Sequence, residues 1–501
     1  MSTFLNAIKE VDNLTYTENG ALTHKSTLSG LLDLFALGGA YRARSDSDCI
    51  ALFQKAFRED PVYAMKCLFY LRDVRGGQGE RRFFRVIIKW LADHETAAMR
   101  RNLQYVPEFG RYDDWYSFVG TKLESDMFEL MRKQIALDVQ CKAPSLLAKW
   151  LKSENTSSYK SRELGDKTRR AFRMTHKQYR KTLSILRNRI KVLERLMSEN
   201  RWDEIEFDKI PSKAGLVYRN AFARRDIIKA KYERFIKDEN TTVNARALYP
   251  YEVVSKAFNY TRCRNSNTID REAINKYWYN LEDYFNGASL DALCVCDTSG
   301  SMWGTTADAP INVAISIALY CAERAHGPFA GHYISFSSHP QLIETVGFDF
   351  CDKVERIYST NLCENTNIEA TFDMLLETAK SHHCRQNDLP KSIIIISDME
   401  FDQARRTYSW DYGYGYRNNA KSTTTLMEDI KRKWERAGYE MPNLIFWNVQ
   451  ARQDNIPMKV DHGVTMVSGC SPVIFEQILK GKTAYDLMYD KLDSERYACI
   501  K

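Results

Sequence analysis

No stretch of the 501-residue chain approaches the roughly 18 consecutive apolar residues of a membrane-spanning helix. The opening MSTFLNAIKEVDNLTY has neither the basic start nor the apolar core of a secretory signal. The protein is therefore expected inside the cell, in the cytoplasm, with no membrane partner. The twelve cysteines contain no CxxC pair, and Cys294 and Cys296 alternate along a predicted strand, so reduced and mostly buried thiols are expected. His382-His383-Cys384 lacks a second cluster of ligands, and no zinc site is expected there. Signatures of catalysis are missing too: there is no P-loop, no GxSxG elbow and no HExxH. His326, His332 and His339 read as core or surface residues rather than general bases, and the protein is not expected to be an enzyme.

What is present is ordinary in composition and uneven in charge. Apolar residues make up 44% and charged residues 27%, as in a soluble globular protein, and the length calls for at least two domains. The net charge of +7 divides sharply. Residues 289–501 hold 21 Lys and Arg against 28 Asp and Glu, a net of −7, while residues 1–288 hold 51 against 37, a net of +14. A polyanionic partner is thus expected for the first part only.

The two parts also differ in periodicity. From about 27 to 285 apolar residues recur at helical spacing, as in DPVYAMKCLFYLRD (60–73) and ERRFFRVIIKWLADH (80–94). Gly76-Gly77-Gln78-Gly79 lies between these two and suits the turn of an antiparallel helix pair. Helical character continues through 105–119 and 210–237, so an all-helical, HEAT-like repeat region over 1–286 is expected. Beyond Asn286-Gly287 short apolar runs alternate with helical stretches. Strands are predicted at 290–296, 332–336, 392–397, 443–449 and 464–468, and helices at 310–326, 367–381, 421–437 and 472–480. Fully apolar strands alternating with helices indicate a doubly wound, mostly parallel α/β domain over 287–501. Its functional loops belong at the carboxyl ends of the strands.

Three such loops carry oxygen ligands. They are Asp297-Thr298-Ser299-Gly300-Ser301, Glu364-Asn365-Thr366-Asn367 and Ser397-Asp398-Met399-Glu400. Hard cations such as Mg²⁺ take oxygen ligands in near-octahedral geometry and keep some water. Two serine hydroxyls two residues apart, a threonine from another strand end and two carboxylates supply that chemistry. The same residue types also favour helix caps at strand-to-helix turns. The order DxSxS, Thr, Asp resembles the metal-ion-dependent adhesion site of von Willebrand A domains. The resemblance implies direct coordination by Ser299, Ser301 and Thr366, with Asp297 and Asp398 acting partly through water and one position left for a partner's acidic group. A metal that only shapes the loops is the alternative. The aromatic stretch 408–417, with four tyrosines and Trp410, is either a contact surface for protein or stacked bases or a mobile insertion.

The densest positive charge lies at 142–195, with 16 basic and 4 acidic residues. Thr175-His-Lys-Gln178 reads as a capping box opening a long helix over 175–197 that buries Tyr179, Leu183, Leu186, Ile190, Leu193 and Met197. Lys177, Arg180, Lys181 and Arg187 lie on its other faces, with Arg189 and Lys191. A preceding loop adds Lys167, Arg169, Arg170 and Arg173, with Phe172 and His176 among them. A rigid helix and loop of cations suit a phosphate backbone, with a merely solvated basic face as the alternative. The Gly76–Gly79 loop is either a plain interhelical turn or a set of amides for a phosphate.

A basic helical region followed by a von Willebrand A domain with this cation motif resembles the Ro-type, TROVE-domain ribonucleoproteins. The chain is more closely similar to an uncharacterised family related to them from plants, fungi and viruses. The likeness is carried by RDVRGGQGERRFF (72–84), PSLLAKWLKSE (144–154), MTHKQYRKTLSILRNRIKVLERLM (174–197), NARALYPYEVV (244–254), DTSGSM (297–302), SDMEFDQA (397–404) and FWNVQARQDNIP (446–457). The resemblance implies a helical body that binds structured small RNA or single-stranded ends, and it transfers no individual RNA contact. A non-catalytic RNA-binding protein is therefore expected, with Mg²⁺ or another divalent cation in the C-terminal domain. The alternative is a protein–protein scaffold or virion component that works through the cation site.

Overall fold

Local chemistry starts and stops the helices. Asp60 accepts hydrogen bonds from the amides of Val62 and Tyr63 and Pro61 takes the first position, so the helix Pro61–Arg72 opens where the sequence expects. The helix Arg82–His94 follows, burying Phe83, Phe84, Ile87, Ile88 and Leu91, and the Phe69 and Phe84 rings meet edge to face at 5.4 Å. Between them the glycine turn is spent internally. The amides of Gln78, Gly79 and Glu80 donate to the carbonyls of Tyr70, Asp73 and Leu71. A Cβ on Gly77 would stand 2.0 Å from the Tyr70 carbonyl oxygen, so no other residue fits this close approach.

The computed structural model describes residues 3–262, 268–336, 340–345, 347–360, 367–402, 425–459, 463–479 and 483–501. A helical N-terminal region is followed by a six-stranded, mostly parallel sheet. After a first helix, Thr3–Asp12, β1 (Leu14–Tyr16) and β2 (Leu22–His24) form a small antiparallel hairpin. The main sheet comprises β3 (Ala292–Asp297), β4 (His332–Phe336), β5 (Gln341–Glu344), β6 (Ser392–Ser397), β7 (Asn443–Asn448) and β8 (Val464–Ser468). Their order is β5-β4-β3-β6-β7-β8, parallel throughout except for the antiparallel edge strand β5. The five predicted strands are present. The edge strand β5, exposed along most of its length, has no apolar run to announce it.

Because strand side chains alternate between faces, the sheet splits its apolar residues between two clusters. Leu293, Val295, Ile393, Ile395 and Phe446 belong with helices from the first 186 residues. Cys294, Cys296, Ile394, Ile396 and Trp447 belong with residues 193–285. The two regions therefore differ in secondary structure yet share both cores. The C-terminal tail adds polar ties: Arg496 pairs with Asp73, the Tyr497 hydroxyl donates to Asp73 at 3.0 Å, and the Lys501 amide donates to Asn102 at 2.9 Å.

Two expectations about the basic segment need correction. The helix opened by the Thr175–Gln178 capping box is His176–Arg189, and it stops there. Lys191 takes a left-handed backbone (φ 45°), and a separate short helix, Leu193–Ser198, follows. The expected loop before it is the helix Tyr159–Ala171, capped by Ser158. Only Gly165 and Thr168 of that helix are buried, so it lacks the apolar stripe by which helices are read from sequence. Seven of the ten described cysteines are buried, and all ten are free. Among the described residues no helix is long and apolar enough to cross a membrane.

Candidate functional site

The strand order places a topological switch point between β3 and β6, whose chains leave the sheet in opposite directions. Asp297 ends β3, Ser397 ends β6 and Asp398 follows it directly, so both carboxylates gather there by topology alone. The Ser397 hydroxyl donates to Asp297 Oδ2 at 2.6 Å, and the Ser299 amide donates to Asp297 Oδ1 at 2.9 Å. The Ser299 and Ser301 hydroxyls lie 3.1 Å apart. Ser299 makes no side-chain cap bond, so these hydroxyls are not tied up in starting a helix. Beyond β6, Met399 has a left-handed backbone (φ 64°), a strained conformation for a side-chain-bearing residue, and Glu400 donates its amide to Asp398 Oδ1 at 3.2 Å. Thr366 lies outside the described residues, as do His339 and the aromatic stretch 408–417. Asn367, beside Thr366, caps the helix Ile368–Ser381.

Electrostatically the site is short of positive charge. Asp297 and Asp398 are both buried, at 0% and 1% exposure. Burial drives the pKa of each upward, and the Asp398 charge pushes that of Asp297 further. Asp398 Oδ2 is buried with no hydrogen-bond partner. Its cationic neighbour is Arg452, with Nε 3.4 Å away and Nη2 donating to the Ser301 carbonyl at 2.7 Å. Among the described residues no group of three His, Cys, Asp or Glu is placed to hold a metal. Here two carboxylates stand with serine hydroxyls, and the orphaned Asp398 oxygen fits a hard cation with a mixed hydroxyl, carboxylate and water shell.

A pH prediction follows from these shifts. A carboxyl whose pKa is higher folded than unfolded binds more protons in the folded state, so stability falls as pH rises through that interval. Melting in EDTA is expected to show stability declining from about pH 4, the ordinary carboxylate range, toward neutrality. A divalent cation should offset the decline by binding the ionised pair, adding about 2.7 kcal/mol at 100 times its dissociation constant. Melting temperatures with and without Mg²⁺ at pH 5.5 and 8, and the same pair for Asp297→Ala, measure this. An equal Mg²⁺ effect in the variant contradicts it.

The expected RNA-binding residues fall into two groups. Arg169 and Arg187 do internal work. Arg169 pairs with Glu154 and Asp166 at 2.8 and 2.5 Å. Arg187 donates to the carbonyls of Ala148 and Leu151 and to the Ser153 hydroxyl, at 2.8 to 2.9 Å. His176 is exposed but turned toward Glu154 at 3.0 Å. The rest gather where the two basic helices meet. Arg170, Arg173, Lys177, Arg180 and Lys181 are exposed and Lys167 is half-buried. Arg170 pairs with Asp166, and among the described residues the other five form no ion pair. The Tyr179, Leu183 and Leu186 side chains are buried beneath this surface and fix the helix that carries it.

A separate open cleft of about 1310 Å³ is lined almost wholly by the helical region, including Arg81, Lys89, Lys152, Tyr249 and Tyr251, with Asp308 from the C-terminal part. Its lining holds seven cationic residues against six acidic ones, so the charge excess sits at the helix junction instead. Sequence reasoning missed Arg452 and the hairpin residues Thr17, Glu18 and Asn19, which bond to Glu400 and Phe401 just beyond Asp398. The dipeptide Asn19-Gly20, with Gly20 at φ 86°, is a hairpin-turn signal that marks them.

Comparison with known proteins gives relatives without assigned roles. Two family models match the chain, both described as domains of unknown function: DUF2828 over residues 17–109 and 133–284, and DUF7788 over residues 291–497. The matched spans meet around Asn286 and Gly287, both with left-handed backbones. An uncharacterised protein of Acanthamoeba polyphaga mimivirus is 28% identical over 512 aligned residues, covering 94% of this chain and 85% of the relative. The crystal structure of the Deinococcus radiodurans Ro (RSR) protein aligns with a TM-score of 0.48 and 13% identity, covering 91% of this chain and all of that one.

Proposed function

We propose that the protein is a non-catalytic RNA-binding protein that holds RNA at the junction of the helices Tyr159–Ala171 and His176–Arg189. The observation carrying this reading is the group of exposed cations from Arg170 to Lys181, most of them without a carboxylate partner. Arg195, Arg201 and Lys209, further along the chain, are by contrast each paired with a glutamate. The sequence resemblance to Ro-type ribonucleoproteins favours RNA over DNA. The sheet edge with Asp297, Ser299, Ser301 and Asp398 is assigned Mg²⁺ or a similar cation, which supplies an electrophilic centre for oxygen ligands and anchors the loops. Asp297 holds the Ser299 turn, Asp398 offers an oxygen that accepts no hydrogen bond, and Arg452 supplies the positive charge that the two buried acids otherwise lack.

The test is the salt dependence of binding to a structured RNA, followed by fluorescence anisotropy. About five phosphate contacts give a slope of log affinity on log salt of roughly −4, a loss of about two to three orders of magnitude between 50 and 200 mM. Salt-independent binding, or no binding with any structured RNA, contradicts the reading.

A further inference from the structure

The hairpin at the start of the chain brings an acidic side chain to the mouth of the cation site. The Thr17 hydroxyl donates to the Phe401 carbonyl at 2.7 Å, the Glu18 amide to Glu400 Oε2 at 2.7 Å, and Asn19 Nδ2 to the Glu400 carbonyl at 2.6 Å. Gly20 bridges to Asp402. These bonds fasten the backbone of residue 18 to the loop that follows Asp398, 380 positions away. The Glu400 side chain is held in turn by Asn455 at 2.8 Å.

The Glu18 carboxylate itself faces Arg452. Arg452 Nη1 lies 3.2 Å from Glu18 Oε2, and the same guanidinium reaches Asp398 and the Ser301 carbonyl. One arginine thus stands between Glu18 and the orphaned oxygen of Asp398, with negative charge on both sides. The Glu18 charge is felt inside the site, where it raises the pKa of both Asp398 and Glu400. Glu18 remains 44% exposed, so its carboxylate is free to turn while its backbone stays docked.

We propose that Glu18 is a ligand for the cation site supplied in cis, taking the coordination position that would otherwise be open to an outside carboxylate, with Arg452 holding it ready in the metal-free protein. The proposal rests on the cation reading of the preceding subsection. A divalent cation held by Asp398 would repel the Arg452 guanidinium and attract the Glu18 carboxylate, whose backbone the hairpin bonds keep in place. Because the hairpin is already docked, Glu18 competes at high effective concentration with any acid from solution. A partner's carboxylate must displace it.

Mn²⁺ binding to the full chain tests this, read by electron paramagnetic resonance and by water-proton relaxation. Glu18→Gln is expected to weaken Mn²⁺ binding about tenfold and to add one exchangeable water to the bound ion. Millimolar acetate should restore affinity in that variant and leave the wild type unchanged. Arg452→Gln keeps every ligand and is expected to bind Mn²⁺ at least as tightly as the wild type. If both variants lose Mn²⁺ equally, the hairpin merely supports the fold and the proposal is overturned. Unchanged affinity and water number in Glu18→Gln overturn it while leaving the cation reading intact. Absence of Mn²⁺ binding in the wild type overturns both.

Discussion

Replacing Asp114 with alanine is expected to destabilise the protein by about 3–5 kcal/mol, the cost of leaving a buried charge without its partner. Asp114 is fully buried and Arg72 only 1% exposed, and they meet at 2.7 Å. Asp114 also accepts from Arg85 Nε at 2.6 Å and from the Arg111 amide at 2.9 Å, so one carboxylate joins three separate segments. A Cβ on Gly110 would lie 2.3 Å from its oxygen, which leaves no room for the loop to reorganise. Asp113 is the control. It pairs with Arg85 and Arg111 at 10% exposure, and its loss should cost less because water reaches those arginines. Urea unfolding of both variants measures the difference. The double substitution Arg72→Met with Asp114→Leu is expected to recover part of the loss, since it removes both buried charges together. Equal midpoints for Asp113→Ala and Asp114→Ala would contradict this account of the core.

What the sequence revealed and concealed follows from the range of each interaction. The five parallel strands were legible because each is buried on both faces and writes a continuous apolar run, as SIIIIS does for β6. The capping box at Thr175 and the turn at Gly76–Gly79 were legible because their bonds join neighbours. The Arg72–Asp114 pair, 42 positions apart, was not, although Arg72 lies in a segment singled out for its family likeness. Arg187 counted as a surface cation because its acceptors, two carbonyls and a hydroxyl, lie 34 to 39 positions earlier. The break at Lys191 was hidden because Ile190 and Leu193 keep the helical spacing across it. The proposed cation site was half legible. The strand-end acids and hydroxyls stand in order along the chain, whereas Glu18 and Arg452 join them only through the fold.

The charge division read at the outset carries the central claim, that a polyanion binds the helical region through its exposed cations. Replacing Arg170, Lys177, Arg180 and Lys181 with glutamine, and Arg173 with asparagine to suit its left-handed backbone (φ 56°), removes that surface without touching the core. These side chains are exposed and, Arg170 apart, free of ion pairs, so stability should change little. Each lost phosphate contact lowers the salt slope by about one. The decisive measurement is the affinity of this fivefold variant for a structured RNA that the wild type binds, determined at 50 mM salt alongside a melting curve. The account predicts an unchanged melting temperature with affinity reduced at least about a hundredfold and a salt slope near zero. A variant that melts as the wild type does and binds the RNA equally well contradicts it.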